Sequence, residues 1–364
     1  MVKGKVDIVG SVQRFEIVQG PNDTSELSSA QESTILDFFA HAQSIRRFQS
    51  IGAVLSAFFV TGRFARNLPQ NSLIEKLVLR RLVIEKGSFG RTMEPVLSWR
   101  SLRALDVEYK HGVIASSGGG RSEERETAIQ RHDNIVLLRL VFPHADQDSA
   151  DFVANFPKLK SAFFYSSSVP EFAPVLESLS DTVTKLKLGT IGSNKTLASP
   201  AVANHSLLKF RNLQSLILDA NVLTPSFVDM ICQQLPVLRT LTLLPKSAPE
   251  AADVEKIIKN RPSSLKSVLL QHLRFTEGSQ YAMREYGRDI EWDPLPVWYS
   301  TFDFDDAYSL QQLALRERVS LGKAFDDAVQ TVENLEEHLA MCNEAGDFEY
   351  DEAVLAEMYE AMME

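Results

Sequence analysis

The chain has 364 residues, 44% of them hydrophobic and 24% charged, with a formal net charge of −10. Cys232 and Cys342 are its only cysteines, far apart and without nearby histidines, which argues against a disulfide framework or a cysteine-based zinc site and favours a reducing, intracellular setting. The acidity is local: residues 302–364 hold 17 Asp/Glu against 3 Lys/Arg, while the preceding 301 residues hold 31 acids and 35 bases, so a nucleic-acid reading loses its main support.

No apolar run of signal-peptide length opens the chain. Its most apolar window, Ile51 to Val60, is too short to span a bilayer and reads as a buried helix. Taken in order, the sequence returns again and again to a hexapeptide with apolar residues at most first, fourth and sixth places. VQRFEI begins at Val12, IRRFQS at Ile45, IEKLVL at Ile74, LRALDV at Leu102 and IVLLRL at Ile135. LKSAFF follows at Leu159, VTKLKL at Val183, LQSLIL at Leu213, LRTLTL at Leu238 and LKSVLL at Leu265, with a weaker candidate around Ile290. Successive starts lie 24 to 33 residues apart. Alternation within each hexapeptide predicts a short strand buried on one face, and the intervals leave room for a helix.

The intervals read accordingly. Residues 28–42 place Ile35, Phe38 and Phe39 on one helical face, and residues 149–159 do the same with Phe152 and Phe156. Residues 224–238 space Phe227, Ile231 and Leu235 helically, with Thr224 as the cap and Pro225 at the first helical position. Residues 248–265 offer Val254, Ile257 and Ile258 before a stop at Pro262. Two stretches interrupt the pattern. The triple-glycine segment from Ser116 to Thr127 lacks the Lys-Ser/Thr of a phosphate loop and reads as a surface insertion; Ser166 to Pro174 reads as a turn entering a helix.

After Pro294 and Pro296 the period is lost. Leu310, Leu313, Leu321, Phe325, Ala328, Val332, Leu335 and Leu339 form one helical stripe, with Asp305 or Asp306 placed to cap it. A second short helix is expected from Asp351. The reading is of two domains, 1–295 and 296–364, the second an acidic helical cap and tail that covers the end of the first. No histidine, serine or cysteine motif supports catalysis, and no cofactor or metal site is expected.

The clearest copy, LQSLILDANVL from Leu213 to Leu223, fills every place of the pattern L-x-x-L-x-L-x-x-N-x-L with Leu213, Leu216, Leu218, Asn221 and Leu223. Asn221 is expected to bridge backbone groups where the chain leaves the sheet. On these residues the chain resembles ribonuclease-inhibitor-like leucine-rich-repeat proteins over roughly residues 10 to 290. It resembles in particular the divergent repeats that follow F-boxes in substrate receptors of cullin–RING ubiquitin ligases. Asparagine fills the ninth place only here, and no F-box-like segment is seen before the first repeat. The resemblance implies an α/β solenoid, a horseshoe with a concave parallel sheet and convex helices. It also implies a non-enzymatic, monomeric protein-binding scaffold, with a ubiquitin-ligase adaptor as a possible partner. The acidic tail is similar to that of repeat proteins that activate Ran GTPase, which gives an enzyme-modulating alternative, although the repeats are less regular and no arginine motif supports it.

Residues between the leucines turn to the other face of each strand. From that face Lys76, Arg80, Asp106, Glu108, Arg139, Phe163, Tyr165, Lys185 and Lys187 are chosen as the candidate protein-binding set, with Phe163 and Tyr165 expected as adjacent exposed aromatics. Arg14 and Arg47 occupy the equivalent third place in the first two copies.

Overall fold

The computed structural model describes residues 13–19, 27–41, 44–61, 64, 73–112, 131–142, 147–167, 172–191, 207, 209–271, 304–323, 325–326 and 329–330. The repeat near Ile290, the triple-glycine segment, the second half of the tail stripe from Ala328 and the Asp351 helix fall outside them.

All ten hexapeptides are strands, and each strand starts at the third place of its hexapeptide. They are β1 (Arg14–Val18), β2 (Arg47–Ile51), β3 (Lys76–Ile84), β4 (Ala104–His111) and β5 (Leu137–Val141), then β6 (Ser161–Ser166), β7 (Lys185–Thr190), β8 (Ser215–Asp219), β9 (Thr240–Leu243) and β10 (Ser267–Leu270). They form one all-parallel sheet in sequence order, β1 to β10. A parallel neighbour needs a crossover, and helices supply several: α1 (Ser29–His41), α2 (Ala53–Phe59), α3 (Phe89–Leu97), α4 (Gln147–Ala154), α5 (Phe172–Ser178), α6 (Pro225–Gln234) and α7 (Ala251–Asn260). An eighth helix, α8 (Phe304–Glu317), follows the last strand. This architecture is compatible with a leucine-rich-repeat-like solenoid.

Burial follows the pattern. Leu77 and Leu79, Leu138 and Leu140, Leu186 and Leu188, Leu216 and Leu218, and Leu241 and Leu243 are all fully buried, as are the entry residues Leu159, Leu213 and Leu265. They join one continuous core with the inward helix residues, among them Phe59, Phe152, Phe172, Phe227 and Ile257. At the N-terminal end, rings do the filling: Phe39, Phe48, Phe59 and Phe64 meet edge to face at 4.5 to 5.9 Å.

The register is held by a device that recurs at every repeat. The carbonyl of the second place accepts two amides from the next repeat, those of its second and third places. Gln13 accepts from Arg46 (2.9 Å) and Arg47 (3.0 Å), Lys160 from Thr184 (2.9 Å) and Lys185 (3.0 Å), and Gln214 from Arg239 (2.8 Å) and Thr240 (3.0 Å). The third-place residues therefore pair in one line, Arg14 with Arg47, Arg47 with Lys76, Lys76 with Ala104, and so on to Ser267.

Several local expectations need correction. Thr224 does cap α6, its hydroxyl accepting from the Phe227 amide at 3.3 Å. Asn221, by contrast, is exposed and makes no side-chain hydrogen bond to the described residues; its neighbours Ala220 and Val222 turn into the core instead. The tail stripe is not one continuous helix. α8 ends at Glu317, Arg318 adopts a left-handed φ of 56°, and Gly322 a φ of 100°. Asp305 and Asp306 lie inside the first turn of α8, after its first residue, where their charge suits the helix dipole.

α8 packs on α7, burying Ala307, Leu310, Leu313 and Ala314. The segment after the turn reaches the outer edge of the sheet. Ser320 bridges Ser267, and the Ser320 and Leu321 carbonyls accept from the Val268 and Leu270 amides at 2.8 and 3.0 Å. The open side of β10 is thereby paired.

Candidate functional site

With the leucines facing the helices, the third, fifth and seventh places of each repeat form three rows across the opposite face of the sheet. The fifth-place row runs through Asp106, Arg139, Phe163 and Lys187, paired in register on β4 to β7. Glu108, Tyr165, Gly189 and Asp219 lie in the seventh-place row. Arg80 belongs to this row too, at an irregularity. Leu79 faces Val107 but Leu82 faces Tyr109, so Arg80 and Arg81 together oppose Glu108. In an unbroken strand Leu79 and Leu82 would point to opposite faces; the extra residue lets both enter the core. Arg81 takes a left-handed φ of 60° to achieve this.

Most of the candidate set forms one connected ladder. Asp106, only 6% exposed, receives Nη1 and Nη2 of Arg80 at 2.6 and 2.8 Å and Nη1 of Arg139 at 2.9 Å. Such fork-on-carboxylate contacts are the strong class of hydrogen bond. Glu108 stands 3.8 Å from Arg80. The Arg139 guanidinium lies 4.7 Å above the Tyr165 ring, and Lys187 lies 5.2 Å above it. Lys187 also reaches Asp219 at 4.0 Å, and Lys185 sits 5.7 Å from the Phe163 ring. Burial works against the charge of Arg139, but Asp106 and then Tyr165 outweigh it, holding its proton more tightly than usual.

Two features of this ladder are absent from the candidate set. Asp219 joins it from β8. Gly189 makes room for it, because a Cβ there would meet Cδ1 and Cε1 of Tyr165 at 2.7 and 2.8 Å. The residue that lets Tyr165 lie down is thus two strand places from Lys187, and a glycine inside a strand is the signal for such a close approach. Phe163 and Tyr165 do share a face, but both are half-buried with cations laid over them, and neither is a bare aromatic surface.

Lys76 stands apart from the ladder. It lies in the third-place row with Arg14 and Arg47, on adjacent strands, around a cavity of about 110 Å³ that Phe48 and Gln49 also line. Arg14 and Arg47, outside the candidate set, share this place of the repeat with Lys76.

The remaining chemistry is sparse. Among the described residues no group of three His, Cys, Asp or Glu side chains gathers to hold a metal, and no helix is long and apolar enough to cross a membrane. Cys232 lies on the helix side of the sheet, its thiol pushed up first by burial and then by Asp229, which makes it a poor nucleophile. No protein-family description matches the chain by sequence, and no curated protein is significantly similar to it.

Proposed function

We propose that the chain is a non-enzymatic scaffold, a ribonuclease-inhibitor-like leucine-rich-repeat horseshoe, that binds a protein partner on the face of its sheet turned away from the helices. The observation that carries this reading is the shared register. Ten strands begin at the same place of the repeat, so their outward residues stand in three aligned rows, including Lys76, Arg80, Arg139, Phe163, Tyr165, Lys185 and Lys187. Arginine and tyrosine held rigid in advance suit protein recognition, because little side-chain freedom remains to be lost on binding.

A photo-crosslinking amino acid placed at Phe163 or Tyr165, with a control on the helix side at Arg91, tests this. Polypeptide adducts are expected from the sheet face alone. Equal yields from both positions, or none from the sheet face, count against it. The ubiquitin-ligase version adds an adaptor of the Skp type, and its support is the repeat resemblance. Failure of adaptor and cullin to co-purify with the chain removes that version and leaves the scaffold.

A further inference from the structure

The second and third places of the repeat, just before and at the start of each strand, carry a charge bias that the near-neutral body conceals. Nine of their twenty residues across the ten strands are Lys or Arg and one is acidic, whereas the fifth and seventh places hold three basic and four acidic residues. The excess is therefore confined to the N-terminal rim of the sheet, which spans nine strand spacings, about 43 Å at ~4.8 Å each.

Rim and ladder differ in what their charges touch. Arg80, Arg139 and Lys187 lie against Asp106, Tyr165 and Asp219. Of the nine rim cations, Arg46 pairs with Glu75, Lys185 lies over the Phe163 ring and Lys160 reaches the Thr182 carbonyl. Arg14, Arg47, Lys76, Arg103, Arg239 and Lys266 have no acidic or ring partner among the described residues, and all of these six but Lys76 are exposed. Their backbone is fixed, because the second-place carbonyl holds the next repeat by two hydrogen bonds. At the N-terminal end three of these cations, Arg14, Arg47 and Lys76, line one cavity together with Phe48 and Gln49. Like charges on neighbouring strands are unfavourable unless something else neutralises them.

We propose that this rim is the docking surface for an acidic polypeptide segment, with Arg14, Arg47 and Lys76 as the anchor for its carboxylates. The proposal rests on the scaffold reading and names the chemistry of the partner. Charge complementarity selects an anionic chain. The aromatics select peptide over single-stranded nucleic acid, since Phe163 and Tyr165 already carry Lys185, Arg139 and Lys187 over their rings and offer no open stacking platform.

The test is fluorescence anisotropy of the full chain with a labelled poly-glutamate peptide of about 20 residues, long enough at ~3.3 Å per residue to cross the sheet. Poly-glutamine and a single-stranded oligonucleotide of equal charge serve as comparisons. Poly-glutamate is expected to bind better than either, and raising NaCl from about 50 to about 300 mM should weaken it about tenfold. Combined Arg14→Glu, Arg47→Glu and Lys76→Glu should lower affinity tenfold or more. Combined Lys86→Glu, Arg91→Glu and Arg316→Glu, with the same change in net charge on exposed positions away from the rim, should stay within about twofold. Circular dichroism melting checks that the reversal variant folds. The milder Arg47→Gln should still lose about threefold, and no loss there overturns the anchor.

Equal losses in the two triple variants, tighter binding of the oligonucleotide, or no binding of poly-glutamate would also overturn the proposal. Lost poly-glutamate binding with cross-links at Tyr165 intact removes the rim and spares the scaffold. Rim-dependent binding without those cross-links supports the rim and removes the central patch.

Discussion

Along the middle of the sheet face, Arg80, Arg139 and Lys187 each lie against a carboxylate or a phenol ring of the same chain. Along the N-terminal rim, Arg14, Arg47 and Lys76 stand beside one another without such partners among the described residues. The same residue types thus have two physical roles on one surface. In the ladder, much of the electrostatic energy is already spent within the fold, and a partner that displaced Asp106 from two guanidiniums would have to replace three hydrogen bonds. On the rim Glu75 neutralises Arg46, but Arg14, Arg47 and Lys76 have no such partner among the described residues, and an anion gains by arriving. Charged side chains on a repeat surface therefore indicate a binding site only once their neighbours on adjacent strands are known.

Substitutions separate the two regions. The largest effect is expected at Asp106→Ala, which strands two guanidiniums on a half-buried surface. Because the arginines retain some water, the loss should be about 2 kcal/mol, below the range for a fully buried pair, as measured by urea denaturation. A change within the scatter of surface mutants would mean that the ladder is ornamental.

Gly189→Ala comes next. Its new methyl must displace the Tyr165 ring, at a cost of about 1 kcal/mol. The same substitution in a Tyr165→Ala background should cost clearly less, and an undiminished cost would show that the ring is not the obstacle. Arg47→Ala should change stability by less than about 0.5 kcal/mol, since it removes a solvated cation from a like-charged row. A loss comparable with that at Asp106 would erase the distinction between rim and ladder.

The smallest effect is a pH slope at His132, at the entry to β5. Burial lowers its pKa, so the folded state resists protonation. Its contribution is present above the unfolded value of about 6.5 and is lost as pH falls through the folded one. A His132→Gln variant should show a shallower acid-side decline, and matching curves would dispose of the effect.

Much of the fold was legible because strand burial is written locally. Leucine-type residues at the first, fourth and sixth places located all ten strands and their register, including β2, where Ser50 takes the sixth place and is still buried. α3 has no counterpart among the helices expected from the sequence, although Phe89, Met93, Val96 and Leu97 are spaced for one and Pro95 sits in its last turn. The tail stripe misled in the opposite direction. Its apolar spacing runs smoothly past Arg318 and Gly322, where the backbone turns left-handed. The site was legible residue by residue but not as a network. Arg80 and Asp106 are 26 residues apart, and Asp106 and Arg139 are 33 apart, so no local pattern pairs them. Assigning places first and charges second would have shown both the ladder and the rim.

The doubled hydrogen bond at each second-place carbonyl has a consequence for how such a chain tolerates change. Because alignment is set at the strand entrance, what lies between one strand and the next is released from any duty to measure distance. Intervals from 24 to 33 residues are accommodated with every strand still paired from its third place. Crossovers can lengthen, shorten or be exchanged while the rows on the opposite face stay in step, so this surface can be re-lettered one strand at a time.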